Sequence, residues 1–114
     1  MEKIVEQGML YDFYGELLTE HQKQIYEEAV YEDFSLSEIA EKHGITRQGV
    51  HDLIRRCDKL LNEYEKKLHL VDRFTSLSEK VGQIRELADE KSAKHPEDTV
   101  LIIRKLSDEI LEEL

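Results

Sequence analysis

Apolar residues recur along this chain at intervals of three and four, with polar residues between them, and nowhere alternate at the period of two that a half-buried strand needs. The pattern predicts an all-α protein. Leu10, Phe13, Tyr14, Leu17 and Leu18 form the stripe of a first helix. Thr19 and Gln22 supply a capping-box pair for a second helix, which carries Ile25, Tyr26, Ala29, Val30 and Tyr31 and ends near Asp33. Tyr11, Tyr14, Tyr26 and Tyr31 interleave with aliphatic residues, an arrangement for core packing rather than base stacking.

The run from Ser35 to Leu61 has the constraints of a helix-turn-helix. Ser35 and Glu38 form a second capping-box pair, with Phe34 and Ile39 placed to staple across it, so a helix begins near Leu36. Ala40 is small where two helices would cross, and Gly44 stands where the turn needs a left-handed backbone. Thr46 can cap the next helix, with Ile45 placed to staple onto Val50. Ile39, Ile45, Val50 and Leu53 are spaced to lie between the two helices.

After the motif, Cys57, Leu61, Tyr64, Leu68 and Val71 continue at alternating spacings of four and three, which predicts one long protruding helix. Leu77, Val81, Ile84 and Ala88 repeat the spacing in a shifted frame. A stutter or break is therefore expected around Phe74 to Ser76, with Ser76 and Glu79 as a new cap. Periodicity fades over Lys91 to His95, and helix should end before Pro96. A last helix follows, with Val100, Ile103, Leu106, Ile110, Leu111 and Leu114 on a broad apolar face that must pack on the preceding segment or on another subunit. The organisation expected is a helix-turn-helix domain over 8–70 and a helical extension or dimerisation region over 71–114, in a homodimer.

Length and charge narrow the function. At 114 residues the chain holds one binding module, and its net charge of −10 opposes indiscriminate binding of polyanions. Both parts are acidic: residues 1–70 carry 9 basic and 15 acidic side chains, and 71–114 carry 7 and 11. The second motif helix reverses this locally, because Arg47, Arg55, Arg56 and Lys59 outnumber Asp52 and Asp58. If the motif docks on duplex DNA, Thr46, Arg47, Gln48, His51, Asp52, Arg55, Arg56 and Lys59 are the residues placed to meet it. Arginine grips phosphate or reads guanine, glutamine pairs with adenine, and Asp52 can orient a neighbouring arginine. Gly49 is unusual inside a helix, where glycine costs about 0.5–1 kcal/mol relative to alanine.

Catalytic chemistry is not expected. His21, His43, His51, His69 and His95 lack metal-ligand spacing, no glycine-rich phosphate loop occurs, and the carboxylates suit solvated helix faces. No catalytic residue, metal or cofactor is expected. Cys57, the single cysteine, looks inward as a packing residue. No signal-peptide pattern and no stretch long and apolar enough to span a bilayer is present, so the expectation is a cytoplasmic protein without membrane insertion.

The segments FYGELLTEHQKQIYE, EDFSLSEIAEKHGITRQGVHDLIRRCDKLL and NEYEKKLHL, within Leu10 to Leu70, resemble the bacterial YlxM family, small proteins related to region 4 of sigma factors. Arg47, Gln48 and Asp52 match its Ser-Arg-Gln and following Asp pattern, while Thr46 and Gly49 stand where serine and alanine are commoner. The resemblance implies a sigma-region-4-like helix-turn-helix domain with a long helix and a helical C-terminal extension. It also implies a regulatory protein connected to the signal recognition particle pathway, acting on DNA or, alternatively, as a protein-interaction adaptor for a protein of that pathway without direct DNA binding.

Overall fold

The computed structural model describes residues 2–89 and 95–114. Among them are six α-helices and no strand: α1 Lys3–Tyr14, α2 Glu20–Val30, α3 Leu36–His43, α4 Arg47–Leu68, α5 Leu70–Leu87 and α6 Pro96–Glu113, with a 3₁₀ turn at Gly15–Leu17 after α1. Chain contacts divide into two units, Met1–Val71 and Asp72–Leu114. The expected loss of periodicity over Lys91 to His95 falls, up to residue 94, outside the described residues.

In the first unit, both capping boxes form as their residue types require. Thr19 Oγ1 accepts from Gln22 N at 3.2 Å while Thr19 N donates to Gln22 Oε1 at 2.9 Å. Ser35 and Glu38 make the same reciprocal pair at 3.1 Å each way. These bonds satisfy helix-end amides that would otherwise lack partners. They set where α2 and α3 begin.

Two apolar clusters join the helices. Leu10, Tyr14, Leu18, Tyr26, Cys57 and Leu61 are buried together, and Ile25, Ile39, Ala40 and Val50 form the second cluster. Leu53 and Ile54 pack against both, so the inner face of α4 is common to the two. Each fully buried aliphatic or aromatic side chain here contributes about 1.5–3 kcal/mol relative to exposure.

Several sequence expectations are corrected. The first helix starts at Lys3 and yields to the 3₁₀ turn at Gly15, so Leu18 reaches the core from extended backbone. Phe13 and Leu17 stay exposed, as does Tyr31, and α2 ends at Val30 rather than near Asp33. Ile45 is 37% exposed and does not share the sealed core of Ile39 and Val50. The long helix ends at Leu68, where His69 takes a left-handed conformation (φ 56°, ψ 28°), and α5 then runs unbroken through Phe74 to Ser76. Ser76 therefore caps nothing; its hydroxyl donates to Glu113 Oε1 at 2.8 Å. The break falls at His69 instead, where Leu70 N donates to the Tyr14 hydroxyl at 3.1 Å and Val71 N to Glu65 Oε1 at 3.0 Å, so the amides that open α5 find side-chain partners.

Tyrosine hydroxyls bind the first unit with carboxylates. Tyr26 donates to Asp58 Oδ1 at 2.5 Å, and Gln7 Nε2 donates to both Asp58 oxygens at 3.0 and 3.1 Å, tying α1 and α2 to α4. Tyr14 donates to Glu65 Oε1 at 2.5 Å and accepts from Leu70 N at 3.1 Å, which fixes the turn after α4. Tyr31 donates to Asp12 at 2.6 Å, and Tyr11 to Glu27. Burial and the paired carboxylate push these phenols above their ordinary range, Tyr31 to about 12. They remain neutral donors at any ordinary pH.

In the second unit, Lys80 Nζ and Ser76 Oγ both meet Glu113 Oε1, at 2.6 and 2.8 Å, and join α5 to the end of α6. Among its described residues only Leu106 is buried. No described helix is long and apolar enough to cross a membrane.

Candidate nucleic-acid interface

The placement of α4 begins with its entry. Gly44 ends α3 in the left-handed region (φ 66°, ψ 31°), which an L side chain would strain, and the chain turns over Gly44 to Thr46 into α4. Thr46 Oγ1 accepts from Gly49 N at 2.9 Å. A Cβ at Gly49 would lie 3.1 Å from that oxygen, so glycine leaves the cap uncrowded. The first turn of α4 has no acidic residue, and the partial positive charge of the helix start adds to that of Arg47.

Burial of Val50, Ile54, Cys57 and Leu61 against the core turns the opposite face of α4 to solvent. On it, Gln48, Asp52, Arg55 and Lys59 recur at spacings of four, three and four, with Arg47 and His51 on one flank and Arg56 on the other. All eight sequence candidates, Thr46, Arg47, Gln48, His51, Asp52, Arg55, Arg56 and Lys59, are exposed. Arg47, Gln48 and His51 border one shallow depression with Leu36, and Asp52, Arg55, Arg56 and Lys59 border the next.

Within this face Asp52 was expected to orient an arginine. Its Oδ1 instead accepts from Gln48 Nε2 at 2.9 Å and lies 3.8 Å from His51 Nδ1. The bond leaves Gln48 Oε1 and one amide hydrogen free to face a partner, and all four basic side chains outside any ion pair within the described residues. Such a surface can offer guanidinium and ammonium donors to anionic oxygens and a mixed donor and acceptor to a planar edge.

One supporting group escaped sequence reading. Glu28, buried on α2, accepts from Lys42 Nζ at 2.7 Å and from His43 Nε2 at 2.8 Å, fastening the end of α3 to α2. Burial alone would raise its carboxyl, but the bonds and charges of Lys42 and His43 outweigh that and hold it below the usual carboxylate range. The available signal was its position three residues after fully buried Ile25 on the same helix. Cys57 is fully buried, and burial with Asp58 beside it pushes the thiol up to about 11, as suits a packing residue.

Comparison with known proteins places the chain in a family. Residues 1–100 match UPF0122, described as "Putative helix-turn-helix protein, YlxM / p13 like". The chain is 38% identical to UPF0122 protein YlxM of Bacillus subtilis strain 168 over 106 residues, covering 93% of this chain and 94% of the relative. It is 40% identical to a UPF0122 protein of Clostridium botulinum strain Alaska E43 over 106 residues, covering 93% and 97%. A UPF0122 protein of Desulforamulus reducens is 42% identical over 89 residues, covering 78% and 76%.

Proposed function

The chain belongs to the YlxM / p13-like family, and we propose that it is a DNA-binding regulatory protein whose α3, turn and α4 act as a sigma-region-4-like helix-turn-helix. In this reading 8–70 is the helix-turn-helix domain, 71–114 is its helical extension, and α4 enters the major groove. The observation that carries it is the exposed basic face of α4 on a chain whose net charge is −10. A concentration of four cations opposite the buried stripe, free of ion pairs to other described residues, directs the acidic molecule's affinity for phosphate to one surface. Arg47, Gln48 and Arg55 are assigned to base edges, and Arg56 and Lys59 to phosphates, with Thr46 holding the helix start, His51 flanking it and Asp52 positioning Gln48.

Selection from a random duplex library at near-physiological salt tests the reading. The full chain should enrich a motif that R47A/R55A does not, while circular dichroism of the variant stays unchanged. Loss of a base-reading arginine should relax discrimination by about 1–3 kcal/mol, and loss of Arg56 or Lys59 should weaken binding uniformly and reduce the salt slope by about one. Asp52, central to the face, favours a second reading: a protein-interaction adaptor in the signal recognition particle pathway without direct DNA contact. No enrichment by either protein would reject DNA readout and favour the adaptor.

A further inference from the structure

Most apolar side chains among the described residues of 72–114 are exposed or half-buried. Leu106 is the single buried side chain among the described residues there, while Val100, Leu111 and Leu114 are 64%, 68% and 84% exposed. A pair of helices with so small a core leaves large apolar side chains at its surface, and such exposed apolar groups mark a contact site.

The sequence of α6 says what fits that surface. Val100, Arg104, Ser107, Leu111 and Leu114 recur at spacings of four, three, four and three, the seam of a two-helix coil. Ser107 is small, and its hydroxyl already donates to Ile103 O at 2.9 Å, so it can be covered without loss of a hydrogen bond. The only basic residues of α6, Arg104 and Lys105, sit at its middle, and acidic Asp108 and Glu109 follow after Leu106 and Ser107. Arg104 and Asp108 make no ion pair with other described residues.

We propose that a second copy of this chain covers α6, the two helices running antiparallel about a two-fold axis near Lys105 and Leu106. Antiparallel pairing sets Val100 against Leu111 of the second copy. It also sets Arg104 beside Ser107 and Asp108 of the second copy, and symmetry repeats both contacts. Parallel pairing would instead oppose Arg104 to Arg104. For two chains of net charge −10, opposite charges at the axis offset the general repulsion only in the antiparallel arrangement.

Sedimentation equilibrium of the full chain tests this without DNA, so the result is independent of the proposed DNA reading. The full chain should be dimeric at micromolar concentration. L111D should weaken association by at least about tenfold, and its circular dichroism should keep the helix content of the first unit. R104D and D108R should each weaken it by about tenfold, because each acts twice across the axis, and R104D/D108R should restore it. A full chain that stays monomeric, a dimer indifferent to L111D, or a charge exchange that fails to restore association would overturn the proposal.

Discussion

The Glu28 carboxylate and the His43 ring meet 2.8 Å apart, Oε2 to Nε2, with both side chains almost wholly removed from solvent. Lys42 completes the arrangement on the other carboxylate oxygen, and its ammonium also stands 5.6 Å over the Phe34 ring. The end of α3 is thereby held to α2 just before the turn that aims α4. This pair belongs to the support of the candidate interface.

Acid should release that support. The folded carboxyl of Glu28 is held below its ordinary value of 4.5, so its stabilisation is full above that value and is lost as pH falls through the lower folded one. Glu28→Gln should cost about 1–3 kcal/mol near neutrality, and the difference from the parent should shrink in acid. Urea unfolding of both proteins from neutral to acid pH measures it; a gap that widens toward acid contradicts the assignment.

Ala40 is 8% exposed and packs with Ile25, Ile39 and Val50. Ala40→Leu should force α3 away from α4 and cost about 1–3 kcal/mol. Denaturant midpoints read the effect, and an unchanged midpoint would show that the crossing has room.

A side chain at Gly44 would touch nothing within 4 Å, so only the backbone resists substitution there. Gly44→Ala should therefore cost about 1–2 kcal/mol, with Gly44→Asn costing less because asparagine tolerates the left-handed region. Equal losses for the two variants would point to something other than φ.

Removing the Tyr26 hydroxyl takes the shortest of three hydrogen bonds from the Asp58 carboxylate while leaving the ring's packing in place. Tyr26→Phe should cost about 1–3 kcal/mol, the range for a hydrogen bond to a charged group. Chemical unfolding tests this, and a neutral substitution would mean that Gln7 and solvent satisfy Asp58 by themselves.

Thiol labelling should follow opening of the core. Cys57 is fully buried and its thiol is pushed up to about 11, so a disulfide reagent should react at the rate of unfolding. Cys57→Ser should cost about 1–3 kcal/mol by placing a hydroxyl among apolar neighbours. Fast labelling of the native protein would contradict the burial.

Helix starts were legible where the signal is local. Thr19 with Gln22, Ser35 with Glu38, and Thr46 needed only residues within one turn to make their caps. The exposed face of α4 was legible too, because the buried spacing of Val50, Cys57 and Leu61 leaves one direction for Arg47, Gln48 and Arg55. The start of α1 was not, since Ile4 and Val5 are about half exposed and form no buried stripe with Leu10.

What this sequence determined by itself is therefore what short-range stereochemistry controls: the all-helical period, the three side-chain caps, the left-handed turn at Gly44 and the side of α4 that faces out. Tertiary structure decided the rest. Tyr14 reaches across the fold to Glu65 and Leu70, where His69 turns the chain, and Glu28 finds Lys42 and His43 from another helix. Those choices depend on which polar groups are brought together and shut away from water. Their cost when unpaired and their strength when paired arise only after the helices have packed.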